Sequence, residues 1–508
     1  MKMVRSLILG SAAGLVAMSG AQAADLPVKA KAVEYVRICS LYGAGFYYIP
    51  GTDTCIKLGG YLRVDLGVNT NGVFTGNTGG AGGAQNRFTD GFVWRSRGDE
   101  TVDTRTATEY GVVRTFVDVY FQWTDDNYAS SGFNGATQYG ALSGTYAGST
   151  PNNGVSGNVA AGEVGVAYAF IQFAGFTMGR AVSQFSAPWV NYPGNITDAL
   201  VGGGGTITGV NQFNYTFQFG SGMSASIGVQ DPTAFFQAGV NNLGVAGPWG
   251  YGSSDYGGTS VPDIVGQFRV DQAWGLFQAS FAAHENNPAY YNNSNEALGG
   301  PDYKWGWAGQ LALSIKNIPT GPGDTINVQG VYTDGATRYN IQDFAATAGS
   351  SAVFSGLTGV GFGFAPDSVF GPNGSQQLIQ TWGMRGAFNH HWDPYWASSL
   401  FGAYASVHYN DAAKTLMCGP GGTVVTALHL TGTCNPDYSI AQLGANTSWT
   451  PVKNLTFTVE GLYTWLNQNY TGQATTAAAE SVGKPGNIAY NLQDEGTWTV
   501  MFRAQRNW

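Results

Sequence analysis

The chain has 508 residues, and only 11% of them are charged, against about 25% in ordinary soluble domains. Glycine contributes 75 residues and mean hydropathy is −0.10, so the polarity comes from Gly, Asn, Gln, Thr and Ser rather than from charge. The formal net charge of −9 argues against nucleic acid as a partner. A lipid-facing band that alternates with a hydrated interior produces this mixture.

The amino terminus has the pattern of a secretory signal. Lys2 and Arg5 form a basic end, residues 7–18 are apolar, and Ala21-Gln22-Ala23 is a small-residue cleavage site. We therefore expect a signal peptide at 1–23 and an exported mature chain. Because no later run of about 18 apolar residues exists, no transmembrane helix is expected.

Alternation with a period of two is the main structural signal in the rest of the chain. In residues 56–69, apolar side chains share one face, and Lys57, Arg63 and Asp65 share the other. Each charge would cost about 2–4 kcal/mol near the midplane of a bilayer, so the charged face is predicted to face water. The same alternation recurs at 92–105, 113–123, 164–173, 176–180, 213–219, 223–230, 264–271, 275–284, 305–315, 325–333, 378–388, 396–409, 440–449, 455–466 and 496–508.

These segments predict an all-β fold, a transmembrane antiparallel β-barrel of about sixteen strands. Short connections at 174–175, 272–273 and 451–454 are predicted to be periplasmic turns. The long connections are predicted to be extracellular loops, and they lie at 124–160, 183–210, 232–260, 334–375, 410–437 and 467–490. The last segment is predicted to pair with the first, because a sheet in lipid cannot leave an edge open. The predicted domains are a signal peptide at 1–23, a periplasmic lead-in with a tied loop at 24–55, and the barrel at 56–508.

The cysteines form two pairs, Cys39 with Cys55 and Cys418 with Cys434, each sixteen positions apart. In an oxidising export compartment, two local disulfides are the simplest assignment, although four cysteines allow three connectivities. A zinc site is the weaker interpretation, because the Cys spacing is wide and the five His are scattered. We expect no metal and no cofactor.

Three stretches resemble the alphaproteobacterial (rhizobial and Brucella-type) outer-membrane porins. They are CSLYGAGFYYIPGTDTCIKLGGYLRVDLG at 39–67, AADLPVKA after the cleavage site, and FVWRSRGDETVDTRTATEYGVVRTFVDV. The terminal strand with its aromatic last residue is also similar to that family. The resemblance implies a sixteen-stranded, homotrimeric general-diffusion porin whose third long loop folds inward. It places the chain among the lipid and lipopolysaccharide of a Gram-negative outer membrane, with its last strand read by the barrel-assembly machinery.

The first functional hypothesis is passive diffusion of small hydrophilic solutes and ions through this pore. By strand order, residues 183–210 join strands five and six, the position of the constricting loop in that family, and Asp198 is the only charge in this stretch. Charges at close range set the ion selectivity of a pore. The candidate pore-lining and constriction residues are Arg63, Asp65, Arg95, Arg97, Arg114, Asp118 and Asp198. Some of them instead suit ion pairs that hold the wall together.

Two other classes of function are compatible with a barrel. An enzyme needs a nucleophile held beside a base, and none of the five histidines has a serine or carboxylate at a suggestive spacing, so no enzyme is expected. A substrate-specific channel or receptor is the other alternative, since the long connections at 334–375 and 410–437 are large enough to bind a ligand. The sequence does not separate this alternative from a general porin, and it leaves the ion preference open.

Overall fold

The computed structural model describes residues 37–70, 92–125, 158–159, 162–198, 200–204, 209–342, 352–355, 359–475 and 488–508. The predicted signal peptide at 1–23 lies outside these ranges, together with residues 24–36 of the predicted lead-in and most of the connection predicted at 124–160. No helix among the described residues is both long and apolar enough to span a membrane.

Within the described residues, sixteen antiparallel strands pair in chain order and close into a barrel. They are β1 (Cys55–Val68), β2 (Phe92–Thr108), β3 (Gly111–Asp125), β4 (Gly162–Phe173), β5 (Phe176–Ala181), β6 (Val210–Gly220), β7 (Met223–Gln230), β8 (Asp263–Gln272), β9 (Gly275–Asn286), β10 (Lys304–Lys316), β11 (Thr325–Asp334), β12 (Gln380–His391), β13 (Trp396–His408), β14 (Tyr438–Val452), β15 (Leu455–Gln468) and β16 (Glu495–Asn507). The pairing of β16 with β1, from Val500 opposite Val68 to Asn507 opposite Tyr61, closes the cylinder. The prediction of a transmembrane barrel of about sixteen strands is confirmed.

The two faces of each strand carry different chemistry. In β10, Leu311 is 60% exposed on the outer face, whereas Gln310 on the inner face is 3% exposed. Successive side chains of a strand point to opposite faces, so the alternation read in the sequence becomes an apolar outer surface and a polar lumen. Aromatic residues such as Trp305 and Trp396 lie exposed at strand ends, where their rings suit the membrane–water interface.

The short connections are tight hairpin turns. Ala174 and Gly175 both have positive φ, as do Ser221 and Gly222. This conformation matches the twist of the flanking strands in type I′ hairpins. All of the short turns lie at one end of the barrel, because the chain alternates strictly between a short and a long connection. This is the asymmetry expected of an outer-membrane barrel.

Residues 37–56 form a small unit of their own. A disulfide joins Cys39 to Cys55, and the strand Tyr47–Tyr48 pairs with Cys55 and Ile56. Phe46 is 4% exposed and packs with the two cysteines. The disulfide and this small apolar cluster compensate for the limited core that so short a segment can build.

Four long connections share one apolar core, and we call the folded layer that their described residues form the loop cap. The connections are 231–262, 335–379, 409–437 and 469–494. The cap contains the helices α1 (Asp411–Cys418) and α2 (Thr423–Leu428). Tyr251 stacks on Phe364, with ring centroids 3.8 Å apart, and its hydroxyl is hydrogen-bonded to that of Tyr470. Both tyrosines are at least 97% buried. The sequence predicted loops here, and the structure shows that they have a folded core.

The disulfide Cys418–Cys434 closes a loop within the cap. Closing a loop of this size stabilises a fold by about 3 kcal/mol in the chain-entropy model. Changing both cysteines to serine should therefore loosen residues 409–437 and leave the barrel folded. Lys414 is the only lysine or arginine in this stretch, so faster trypsin cleavage after Lys414 measures the effect. Unchanged cleavage would show that the apolar core alone holds this loop.

Candidate functional site

Loop 3, defined here as residues 182–209, lies inside the barrel. Amide side chains of the inner wall bind its backbone: Gln278 and Gln310 each donate to a loop carbonyl at 2.8 Å, on Ser186 and Phe185 respectively. Farther along, Asn327 donates to the carbonyl of Pro193. The prediction that the third long loop folds inward is confirmed. A loop that crosses the lumen needs partners for its buried backbone groups, and the lumen-facing amides supply them.

Two buried ionisable side chains hold the far side of loop 3. Arg385 on β12 is 2% exposed and donates to Asn191 Oδ1 and the carbonyl of Leu200, both at 3.0 Å. Glu460 on β15 is 1% exposed and accepts from the backbone amides of Ile196 and Thr197, both at 2.7 Å. Arg385 thus binds carbonyl oxygens of the loop, and Glu460 binds its backbone amides. Together they attach loop 3 to β12 and β15.

Between loop 3 and the opposite wall lies a recess of about 230 Å³, which we call the eyelet recess. Its wall side includes Arg63, Arg97 and Arg503, and its loop side includes Tyr192 and Asn195. Strands β1, β2 and β16 are neighbours at the barrel seam, so arginines that are far apart in sequence meet here.

Arg63 and Arg97 bind neutral partners. Arg63 Nε donates to Gln505 Oε1 at 2.8 Å, and its guanidinium lies 4.4 Å from the ring centroid of Tyr61. Arg97 has the same arrangement, with Gln122 at 2.8 Å and the ring of Tyr120 at 4.6 Å. Among the described residues, neither guanidinium has a carboxylate oxygen within 4.0 Å. Both guanidiniums line the recess, although Arg97 is only 6% exposed, so their positive charge acts on the recess without a carboxylate in direct contact.

Asp65 and Arg95 belong to a buried ion cluster. Asp65 is fully buried and accepts from Arg95 at 2.8 Å and from Arg503 Nε at 2.6 Å. The cluster joins β1, β2 and β16, the strands that close the barrel. Arg95 is 4% exposed, so both of these candidates lie within the wall beside the eyelet recess.

The remaining candidates lie at different heights in the lumen. Arg114 is paired with Asp103 at 2.9 Å, close to the short-turn end of the barrel. Asp118 lines the eyelet recess together with Asp99. Asp198 of loop 3 accepts a hydrogen bond from the Tyr192 hydroxyl. The structure thus brings Arg63, Arg97 and Asp118 together in the recess, and places Arg114 below them.

Arg503, Arg385 and Glu460 were not among the site residues predicted from the sequence. Arg503 was recognisable by its phase, since it lies on the polar side of β16 with Gln505. Arg385 and Glu460 have the same phase signal on β12 and β15, but nothing in the sequence links them to loop 3. Their roles depend on which part of loop 3 reaches them, and this is set only when the barrel closes.

The comparisons with known proteins agree with this architecture. A family model described as the Porin subfamily matches residues 25–500. Porin Omp2b of Brucella canis is 36% identical over 359 residues, which cover 70% of this chain and 80% of that protein, and Omp2b of Brucella abortus is 35% identical over the same shares. The outer membrane channel DcaP of Acinetobacter baumannii superposes with a TM-score of 0.55 at 14% identity, over 91% of this chain and 99% of its own, and so shares the fold. The chain therefore belongs to the Porin subfamily, and it is an outer-membrane porin whose water-filled pore serves passive diffusion of small hydrophilic solutes and ions.

Proposed function

We propose that solutes cross this porin through the eyelet recess, and that Arg63 and Arg97 give the pore a preference for anions. The observation that carries the proposal is the pairing of both guanidiniums with glutamine and tyrosine side chains instead of carboxylates. A charge in a narrow pore raises the local concentration of the opposite ion.

Loop 3 adds little negative charge to oppose these arginines. Asp198 is the only charged residue in the loop, and its carboxylate is hydrogen-bonded to Tyr192. Asp99 and Asp118 also border the recess, together with Arg63, Arg97 and a third arginine, Arg503. The arginines that line the recess therefore outnumber its aspartates.

The reversal potential across a planar bilayer in a KCl gradient tests this preference. The wild-type pore should favour chloride, and the Arg63→Gln/Arg97→Gln variant should lose most of that preference. One charge at about 4 Å in water changes the energy of an ion by about 1 kcal/mol, so the permeability ratio should change severalfold. Arg269→Gln is the matched control, because this lumen-facing arginine is already paired with Asp271 at 2.9 Å. A cation-selective wild-type pore would overturn the proposal.

The proposed role is a passive channel, with no catalytic step assigned to any residue. It includes removal of residues 1–23 on export, a periplasmic lead-in at 24–55 and a barrel at 56–508. We further propose a homotrimer that is embedded among lipid and lipopolysaccharide, and assembly through recognition of β16. The exposed apolar side chains of β1 and β16, such as Leu62 and Phe502, support a buried contact between copies. Chemical crosslinking in mild detergent that gives only monomers would contradict the trimer.

A substrate-specific channel is a second candidate, and the loop cap favours it. A folded cap with its own apolar core is more than a diffusion pore requires, and its ordered surface is suited to selecting solutes. Saturable solute flux into vesicles would support selection by the cap, whereas flux that rises linearly with solute concentration would support general diffusion alone.

A further inference from the structure

A histidine lies buried between two aspartates near the long-loop end of the barrel. His284 on β9 has Nδ1 2.7 Å from Asp263 Oδ1 and Nε2 3.4 Å from Asp367 Oδ2. All three residues are fully buried. None of the residues discussed for the eyelet recess belongs to this group.

The arrangement favours a positively charged imidazole. A neutral imidazole has one N–H, so one of its nitrogens would present a lone pair to a carboxylate. The imidazolium presents an N–H to both: Nδ1 is hydrogen-bonded to Asp263, and Nε2 lies 3.4 Å from Asp367 in an ion-pair contact that lacks hydrogen-bond geometry. Among the described residues, neither Asp263 nor Asp367 has a lysine or arginine nitrogen within 4.0 Å, so His284 is the cation available to these two buried carboxylates.

The two aspartates connect three long segments of the chain. Asp263 accepts from the Tyr339 hydroxyl, which in turn accepts from Gln230, and Gln230 accepts from Ser183 at the start of loop 3. Asp367 accepts from the backbone amides of Thr337 and Ala238, both at 2.6 Å. The group therefore joins the start of loop 3 to the connections 231–262 and 335–379.

Ring contacts follow the same route. Tyr339 stacks on Phe236 at 4.4 Å between centroids and meets Phe185 of loop 3 edge-on at 4.6 Å. Three further titratable groups lie near these carboxylates, namely Tyr339, Tyr256 and Glu285, and each is neutral or anionic. None of them adds positive charge, so the balance depends on His284.

We propose that His284 is a positioning residue: as an imidazolium it holds Asp263 and Asp367 together and thereby fixes the start of loop 3 and both outer connections. Loss of its proton at alkaline pH leaves two adjacent buried carboxylates, which separate and release these segments. Current through the open pore then becomes noisier, because the base of loop 3 moves. This role is separate from the ion preference proposed for the eyelet recess.

Substitutions test the proposal directly. In His284→Gln one amide replaces the imidazolium, and its carbonyl faces a carboxylate. In His284→Gln/Asp263→Asn the two amides satisfy each other, and the new amide oxygen at position 263 still accepts from Tyr339. His429→Gln is the matched control, since His429 is an exposed residue of the loop cap.

Two measurements on the folded barrel give the outcome. Arg338 is the only lysine or arginine in 231–262 and 335–379, so trypsin cleavage after Arg338 reports loosening of the cluster. Leaving a buried polar group unpaired destabilises the packing around it, so cleavage in His284→Gln should be roughly tenfold faster or more. The double variant and the His429→Gln control should resemble the wild type.

The pH profile separates the charge of His284 from its packing. Wild-type channels should acquire the current noise of His284→Gln when the pH is raised, and the double variant should show no such transition. The proposal is overturned if His284→Gln is as quiet and as trypsin-resistant as the wild type at neutral pH. It is also overturned if the double variant keeps the alkaline transition.

Discussion

Replacing Arg385 with methionine is expected to release loop 3 and to raise the single-channel conductance. The guanidinium donates to Asn191, Leu200 and Val190 of the loop, at 3.0, 3.0 and 2.5 Å. Methionine is apolar, shorter than arginine and has no donor, so three acceptors on the loop lose their partner. A hydrogen bond to a charged group contributes about 1.5–3 kcal/mol, so the loop loses a large part of its attachment to β12.

Conductance in planar bilayers measures this effect, and the number of open states per channel shows whether the loop is mobile. Glu460→Gln should also raise the conductance, but by less, because the glutamine carbonyl still accepts a hydrogen bond from the amide of Ile196 or of Thr197. Arg269→Met is the matched control, since Arg269 pairs with Asp271 close to the short turn that follows β8. An Arg385→Met pore with wild-type conductance and noise would show that the wall amides alone hold the loop.

The largest stability effect is expected from Asp65→Asn at the barrel seam. Asp65 is fully buried and is the carboxylate shared by Arg95 and Arg503. Removing its charge leaves two buried guanidiniums facing each other, and breaking a buried ion pair in this way costs about 3–5 kcal/mol. Because the cluster joins β16 to β1 and β2, the lost stability weakens the strand contacts that close the barrel.

Heat-modifiable migration in detergent gels gives the unfolding temperature of the barrel for this comparison. Asp271→Asn is the control, because its partners Arg269 and Lys316 are partly exposed and such pairs contribute only about 0–1 kcal/mol. The Asp65→Asn/Arg503→Gln double variant should recover part of the loss, since one of the two unpaired cations is gone. Equal unfolding temperatures for Asp65→Asn and Asp271→Asn would contradict this account of the seam.

The sequence by itself determined the strand order, the two faces and the turns of this porin, because each depends on neighbours along the chain. Period-two alternation is a local property, so it was enough to assign Leu62 and Arg63 to opposite faces of one strand. The pairing of β16 with β1 also followed, since a barrel in lipid leaves no free edge. The sixteen-residue spacing of Cys418 and Cys434 similarly indicated a local disulfide.

Only the tertiary structure decided which lumenal charges neutralise one another. Arg63, Arg95 and Arg97 look alike in sequence, yet Arg95 is neutralised by Asp65 while the other two bind glutamine. The partner of each is set by the stagger between paired strands, which for Arg63 and Gln505 are 442 residues apart in the chain, and by the path of loop 3 across the lumen. Alternation along one strand carries no information about that stagger. Which charges line the eyelet recess unpaired is therefore determined only by the closed barrel.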